Sequence, residues 1–148
     1  MIIAFGCDHA GFPVKADILA HLKEAGIQVL DFGTFSDASC AYPDFAFKAA
    51  QAVVSGKADK GILVCGSGEG MAIAANKVKG IRCGIGYNDT VSDLMVEHNH
   101  ANMIAFGARY MTSADILRRI DIFLKAAPQE GRHQERVDII SEFEDKSC

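Results

Sequence analysis

The part of this chain best equipped for chemistry is a thiol followed at once by a glycine-rich turn. In Gly61-Ile-Leu-Val-Cys-Gly-Ser-Gly-Glu-Gly-Met71 an apolar run ends in Cys65, and Gly66, Gly68 and Gly70 follow within five residues. A helical pattern then opens, Ala72-Ile-Ala-Ala-Asn-Lys77. The spacing places a thiol at the carboxyl end of a strand, beside a helix amino terminus. Unpaired backbone N–H groups there bind anions, and the same field favours a thiolate. A thiolate so placed can take a proton from a carbon next to a carbonyl. Read alone, Cys65 suits a small buried hydrophobe equally well; the glycines, which let backbone approach a ligand, favour the chemical reading. Glu69, two residues after Ser67, is a rival base, although a first-turn carboxylate is ordinarily just favoured by the helix dipole.

Other polar residues fall where strands end. Asp8 and His9 follow the first apolar run, Tyr42 lies in the loop after the second, and Arg109 follows the fifth. His98, Asn99 and His100 precede the fifth strand, at the opposite edge. The His98/His100 pair has no third or fourth ligand at fixed spacing, so a metal site is not expected; His98 is more attractive as an acid or base. Arg132 and Arg136 are four apart and share one helical face, which suits a phosphate; the alternative is a solvated face paired with Glu130 and Glu135. Spacing excludes several signatures. No GxxxxGK[ST] run occurs, the sixth position counted from Gly66 is Met71 rather than glycine, and the residue two before Ser67 is Cys65, which rules out GxSxG.

These residues need a scaffold, and the chain alternates short apolar runs with amphipathic patterns from end to end. Strands are expected at 2–6, 28–32, 61–65, 82–86 and 103–106. Helices are expected at 12–25, 43–55, 70–77, 89–98, 112–126 and 133–144, with Asn88 and Thr112 or Ser113 as caps and with Gly26 and Gly56 as stops. This βαβ order predicts a single α/β domain over 1–148: a Rossmann-like, three-layer α/β/α sandwich around a five-stranded parallel sheet. Ligands of such folds bind at strand carboxyl ends near a topological switch point. The last helix, appended after a complete pattern and carrying Val137, Ile139, Ile140 and Phe143, suggests packing on a partner subunit.

Composition narrows the classes. With 49% hydrophobic residues the 148-residue chain can bury a core, and no apolar stretch approaches the roughly 20 residues of a membrane span. Its start lacks a basic n-region. A net charge of −4 without a basic block argues against nucleic acid. Five cysteines, Cys7, Cys40, Cys65, Cys83 and Cys148, form no CxxC pair; Cys7, Cys65 and Cys83 fall at or near apolar runs, as the reduced thiols of a cytoplasmic protein do.

Taken together, Gly6-Cys-Asp-His-Ala-Gly11, Tyr42-Pro43, Val64-Cys-Gly-Ser-Gly-Glu-Gly70, Ala74-Ala-Asn-Lys77, Gly80-Ile-Arg82, Glu97-His-Asn99, Ala101-Asn102, Phe106-Gly-Ala-Arg109 and Gly131-Arg-His-Gln-Glu-Arg136 closely resemble the ribose-5-phosphate isomerase B family. That family also holds the galactose-6-phosphate isomerase subunits. The resemblance covers nearly the whole chain in order. It implies metal- and cofactor-free aldose–ketose isomerisation of a sugar phosphate through an enediolate. It also implies a homodimer, often paired into tetramers, with the C-terminal helix and each site at the subunit interface. Carried over, it makes Cys65 the base that moves the proton between C1 and C2, with Ser67 assisting at the oxygens. His98 would open the ring, with Asp8 nearby. Gly66, Gly68 and Gly70 amides with Asn99 would hold the enediolate, His9, Arg109, Arg132 and Arg136 the phosphate, and Tyr42 would line the sugar site. Three positions depart from common family usage: Ser67 replaces threonine, His100 replaces aspartate, and Glu69 accompanies Cys65 where some members use glutamate alone. The expected reaction is ribose 5-phosphate to ribulose 5-phosphate; allose or galactose 6-phosphate is the near rival. A flavodoxin-like module that only binds a phosphate ligand is the reading from another class.

Overall fold

A computed structural model describes residues 1–146; Cys148 lies outside them. Five strands, β1 (Ile2–Cys7), β2 (Gln28–Asp31), β3 (Lys60–Cys65), β4 (Cys83–Ile85) and β5 (Met103–Gly107), form one sheet in the order β2-β1-β3-β5-β4. Every neighbouring pair is parallel. Six helices, α1 (Phe12–Glu24), α2 (Tyr42–Val54), α3 (Glu69–Ala75), α4 (Asp89–Asn99), α5 (Ser113–Lys125) and α6 (Arg132–Lys146), alternate with the strands and follow the last one. The α/β sandwich anticipated from the pattern is therefore present.

Side-chain alternation divides the central strands between two cores. Ile3, Phe5, Ile62, Val64, Ile104 and Phe106 point to one face, where they meet Ile18 and Leu22 of α1, Met95 and Val96 of α4, and Ile116, Ile120 and Phe123 of α5. Ala4, Leu63, Cys65, Met103 and Ala105 point to the other, against Ala46, Ala49 and Ala50 of α2 and Met71, Ala72 and Ala75 of α3. The alanines bring α2 and α3 close to the sheet. Cys65 thus faces the layer that carries Tyr42 and the glycine turn.

The strand order decides what gathers around that thiol. β5 inserts between β3 and β4, with Cys65 opposite Gly107. The carboxyl ends of β1, β3 and β5 are therefore adjacent, and the loops after them share one edge. β4 is shorter than its apolar run suggests because it lies at the sheet margin. Its free edge is occupied by the Asn76 amide, which accepts from the Cys83 N–H at 2.8 Å and donates to the Cys83 carbonyl at 2.9 Å. Such a cap discourages edge-to-edge pairing.

Helix ends follow local chemistry. Gly26 and Gly56 adopt φ of 72° and 73° just past α1 and α2. Asn88 caps α4 by accepting from the Val91 N–H at 2.8 Å. Of the two candidates before α5, Thr112 caps, accepting from the Asp115 N–H at 3.1 Å, while Ser113 donates to Asp17 instead. α3 begins at Glu69, one residue earlier than its periodicity suggests. α6 begins at Arg132, so that arginine lies in the first helical turn. No helix among the described residues is long and apolar enough to cross a membrane.

Candidate active site

A cleft of about 360 Å³ opens at the carboxyl edge, lined by Asp8, His9, Tyr42, Cys65, Ser67, Arg109 and their neighbours. Each wall has a local cause. Asp8 directly follows β1 and is buried. Its Oδ1 accepts from the N–H groups of Ala10 at 2.9 Å and Gly11 at 3.0 Å, which fixes the carboxylate at the mouth. His9 accepts the Cys40 N–H through Nδ1 at 3.4 Å. With that acceptor role, the neutral ring carries its proton on Nε2. Tyr42 is the first residue of α2 and crosses Gly70 so closely that a Cβ there would stand 2.7 Å from the ring. Arg109, in the turn after β5, lies over Gly66. Its loop is tied to the thiol loop by Ala108 N–H to Cys65 C=O at 2.9 Å and Arg109 N–H to Gly66 C=O at 3.1 Å.

The thiol sits at the base of this cleft, 5% exposed. Its sulfur accepts the Gly68 N–H at 3.1 Å. That contact needs Gly68 in the left-handed region, at φ 88°. It also needs Gly107 opposite, because a Cβ there would stand 2.5 Å from the Ser67 carbonyl. The Ser67 hydroxyl accepts from the Glu69 N–H at 3.3 Å. Cys7 is not a second reactive thiol: burial pushes it up to about 12. Glu69 is exposed and is not among the residues that line the Cys65 cleft. It lines a second, open groove of about 630 Å³ along the β4 edge, with Ser67, Tyr87, Met95, Asn99 and Tyr110.

The remaining candidates lie elsewhere on the chain. α4 runs back from the end of β4 to the start of β5, so His98 in its last turn lies at the amino edge. Cys65 is level with the far end of β5. The separation is roughly the length of a five-residue strand, about 16 Å. There His98 stacks on His133, ring centroids 4.1 Å apart and planes within 2°. His100 turns aside to the Gln129 carbonyl at 2.8 Å, so the two histidines of the pair do not converge. Arg132 and Arg136 are exposed, and among the described residues neither makes an ion pair, so the pairing with Glu130 and Glu135 that the sequence allowed is not formed. Asn99 lines the β4 groove with Ser67 and also a pocket beside Arg82 and Ile140. One chain thus assembles Asp8, His9, Tyr42, Cys65, Ser67 and Arg109, and displays His98, Arg132 and Arg136 on a separate surface.

Sequence reasoning passed over three residues. Tyr110 lines both the cleft and the groove, and its place beside Arg109 after β5 could have flagged it. Cys40 contacts His9, and His133 carries the stack; both depend on loop packing that no spacing announces.

A doubly wound parallel sandwich with a thiol, a carboxylate and an amide-rich turn at adjacent strand ends defines a class: α/β enzymes that bind small anionic ligands at the strand carboxyl edge. The particular family follows from comparison. The sequence model described as ribose/galactose isomerase matches residues 3–140, and the chain belongs to that family. It is 44% identical to ribose-5-phosphate isomerase B of Escherichia coli over 144 residues, 97% of each chain. Among solved structures, ribose-5-phosphate isomerase B of Clostridium thermocellum superposes with a TM-score of 0.98 at 45% identity, covering all of both chains. That of Mycoplasma genitalium, solved with ribulose 5-phosphate bound, gives 0.93 at 38% identity, covering 98% of this chain and 97% of its own.

Proposed function

We propose that this protein interconverts ribose 5-phosphate and ribulose 5-phosphate. The observation that carries the reading is the buried Cys65 thiol, held by the Gly68 amide in a cleft walled by Asp8, His9, Tyr42 and Arg109, in a chain this similar to ribose-5-phosphate isomerases. Isomerisation needs a base that removes the C2 proton of the open aldose and returns it to C1, while the hydroxyl proton moves from O2 to O1. Cys65 is that base. Ser67 serves the two oxygens. The amides of Gly66, Gly68 and Gly70 face the enediolate, where donors already in place are worth most. His9 and Arg109 receive the phosphate, whose binding energy acts at a distance from the reacting carbons.

Ring opening by His98 and the further phosphate contacts of Arg132 and Arg136 require a second copy of the chain, because the first copy's own set is on the wrong edge; Asn99 joins the amides at the enediolate. The exposed apolar residues of α6, Ile139 and Phe143, suit such a copy. A homodimer with two composite sites follows, and pairing of dimers into tetramers is compatible with it. The exposed carboxylate of Glu69, outside the thiol cleft, favours Cys65 over Glu69 as base. Allose 6-phosphate and galactose 6-phosphate are the rival substrates of the same chemistry.

The test compares Cys65→Ala and Glu69→Gln on all three sugar phosphates. Turnover of ribose 5-phosphate should exceed that of both hexose phosphates. Cys65→Ala should lose about 10²–10⁴-fold in kcat, the usual contribution of a positioned base, and Glu69→Gln should lose little. An active Cys65→Ala would end the assignment. A protein that holds sugar phosphate without turning it over would be the binding module instead.

A further inference from the structure

The stack of His98 on His133 has features that docking two helices does not require. The rings are parallel within 2° at 4.1 Å. His133 is buried, and its Nδ1 has no hydrogen-bond partner among the described residues. The junction is already secured by other means. Gln129, just before α6, gives its N–H to the Glu97 carbonyl at 2.9 Å and its side-chain amide to the Glu97 carboxylate at 3.0 Å. It also receives His100 Nε2 on its carbonyl at 2.8 Å. Leaving an imidazole nitrogen buried and unpaired costs stability that an apolar residue in its place would not.

We propose that His133 is a positioning residue for His98: its ring, stacked on the His98 imidazole, fixes the plane in which that imidazole works. This rests on the reading of His98 as the acid–base group for ring opening. The charges facing His133 all favour its neutral form. Burial lowers its proton affinity first, followed by His98 from α4, Arg132 and Arg136 from α6, and His100 beyond the end of α4. Glu130 and Glu135 flank it in the chain, and Glu97 is engaged by Gln129. His98 is thus held flat against a ring whose charged form is disfavoured. Ring opening needs a proton passed between ring oxygen and hydroxyl, and a rotating imidazole would do this poorly.

The experiment uses the full-length protein with ribose 5-phosphate, and NMR of the histidine ring protons across pH. His133→Ala should lower kcat about ten-fold with a smaller change in KM, a fraction of the 10²–10⁴ a positioned acid or base supplies. His133→Phe, which keeps a flat ring, should recover most of that loss. In the unmodified protein His133 should titrate below the ordinary histidine range, and His98→Asn should move it upward by removing the neighbouring charge. If His133→Phe is as impaired as His133→Ala, or if His133 titrates at the same pH with and without His98, the positioning role is wrong. If His98→Asn itself turns over normally, the reading of His98 fails instead, and the NMR titration of His133 still decides whether the two rings act on each other. Should His133→Ala fail to fold, the phenylalanine variant and the titration carry the test alone.

Discussion

Mixing two inactive variants gives the sharpest test of the composite site. Within one chain Cys65 and His98 lie toward opposite ends of β5, a strand about 16 Å long, whereas proton transfer requires donor and acceptor at about 3 Å. If both act on one substrate, they come from different copies around a two-fold axis. Cys65→Ala and His98→Asn should each be nearly inactive as homodimers. Co-expressed or co-refolded in equal amounts, they pair at random, so about half the dimers are mixed. In a mixed dimer one site inherits both lesions and the other inherits neither. About a quarter of all sites should then be intact, and activity should rise from the residual level of either parent to about a quarter of normal. The assay is ribulose 5-phosphate formation, with mixed dimers quantified by native mass spectrometry. A mixture that contains the mixed dimer yet stays at parental activity would refute the arrangement. Every chain in it would then carry a lesion in its own, self-contained site.

Three other perturbations probe the scaffold. Gly68→Ala forces a side chain into φ 88°, with its Cβ 3.0 Å from the Phe106 carbonyl carbon. Urea unfolding should show a loss of about 1–2 kcal/mol or more, and kcat should fall about 10²–10³-fold as the amide at Cys65 moves; unaltered kcat would show that this amide is not part of the anion hole. Lys15→Met removes a buried ammonium that pairs with Asp31 at 2.8 Å and donates to the Thr34 carbonyl at 2.9 Å. A loss of about 3 kcal/mol is expected from stranding Asp31, with a raised KM because the loop from Gly33 leads to Tyr42. Finally, His133 is held below its ordinary range, so the folded protein binds that proton less readily than the unfolded chain. Its contribution is present above the unfolded value of about 6.5 and is lost as pH falls below it. Melting temperature should therefore decline on acidification, and His133→Phe should flatten that decline.

Much of this protein was legible in the sequence because the signals are local. The strand-to-helix turn at Cys65-Gly-Ser-Gly-Glu-Gly70 needs only an apolar run, a residue tolerant of positive φ at Gly68, and a helical period after it. Gly26 and Gly56 stop helices by backbone freedom alone, and Asn88 caps α4 by the reach of its own side chain. Asp8 and Cys65 could be placed at strand ends for the same reason, and His98 at the opposite edge.

Only tertiary structure decided that β5 lies between β3 and β4. Strand order follows from which faces bury together, a sum over long-range contacts that no short window contains. That choice brings Arg109 over Gly66 and Tyr110 into the cleft. It likewise decided that Glu69, the rival base in the sequence, lines the adjoining groove rather than the thiol cleft, and that His133 lies flat against His98. The sequence by itself determined the chemical parts and the edge on which each stands; packing determined which of them meet, because burial and close approach are properties of the whole sheet rather than of any segment.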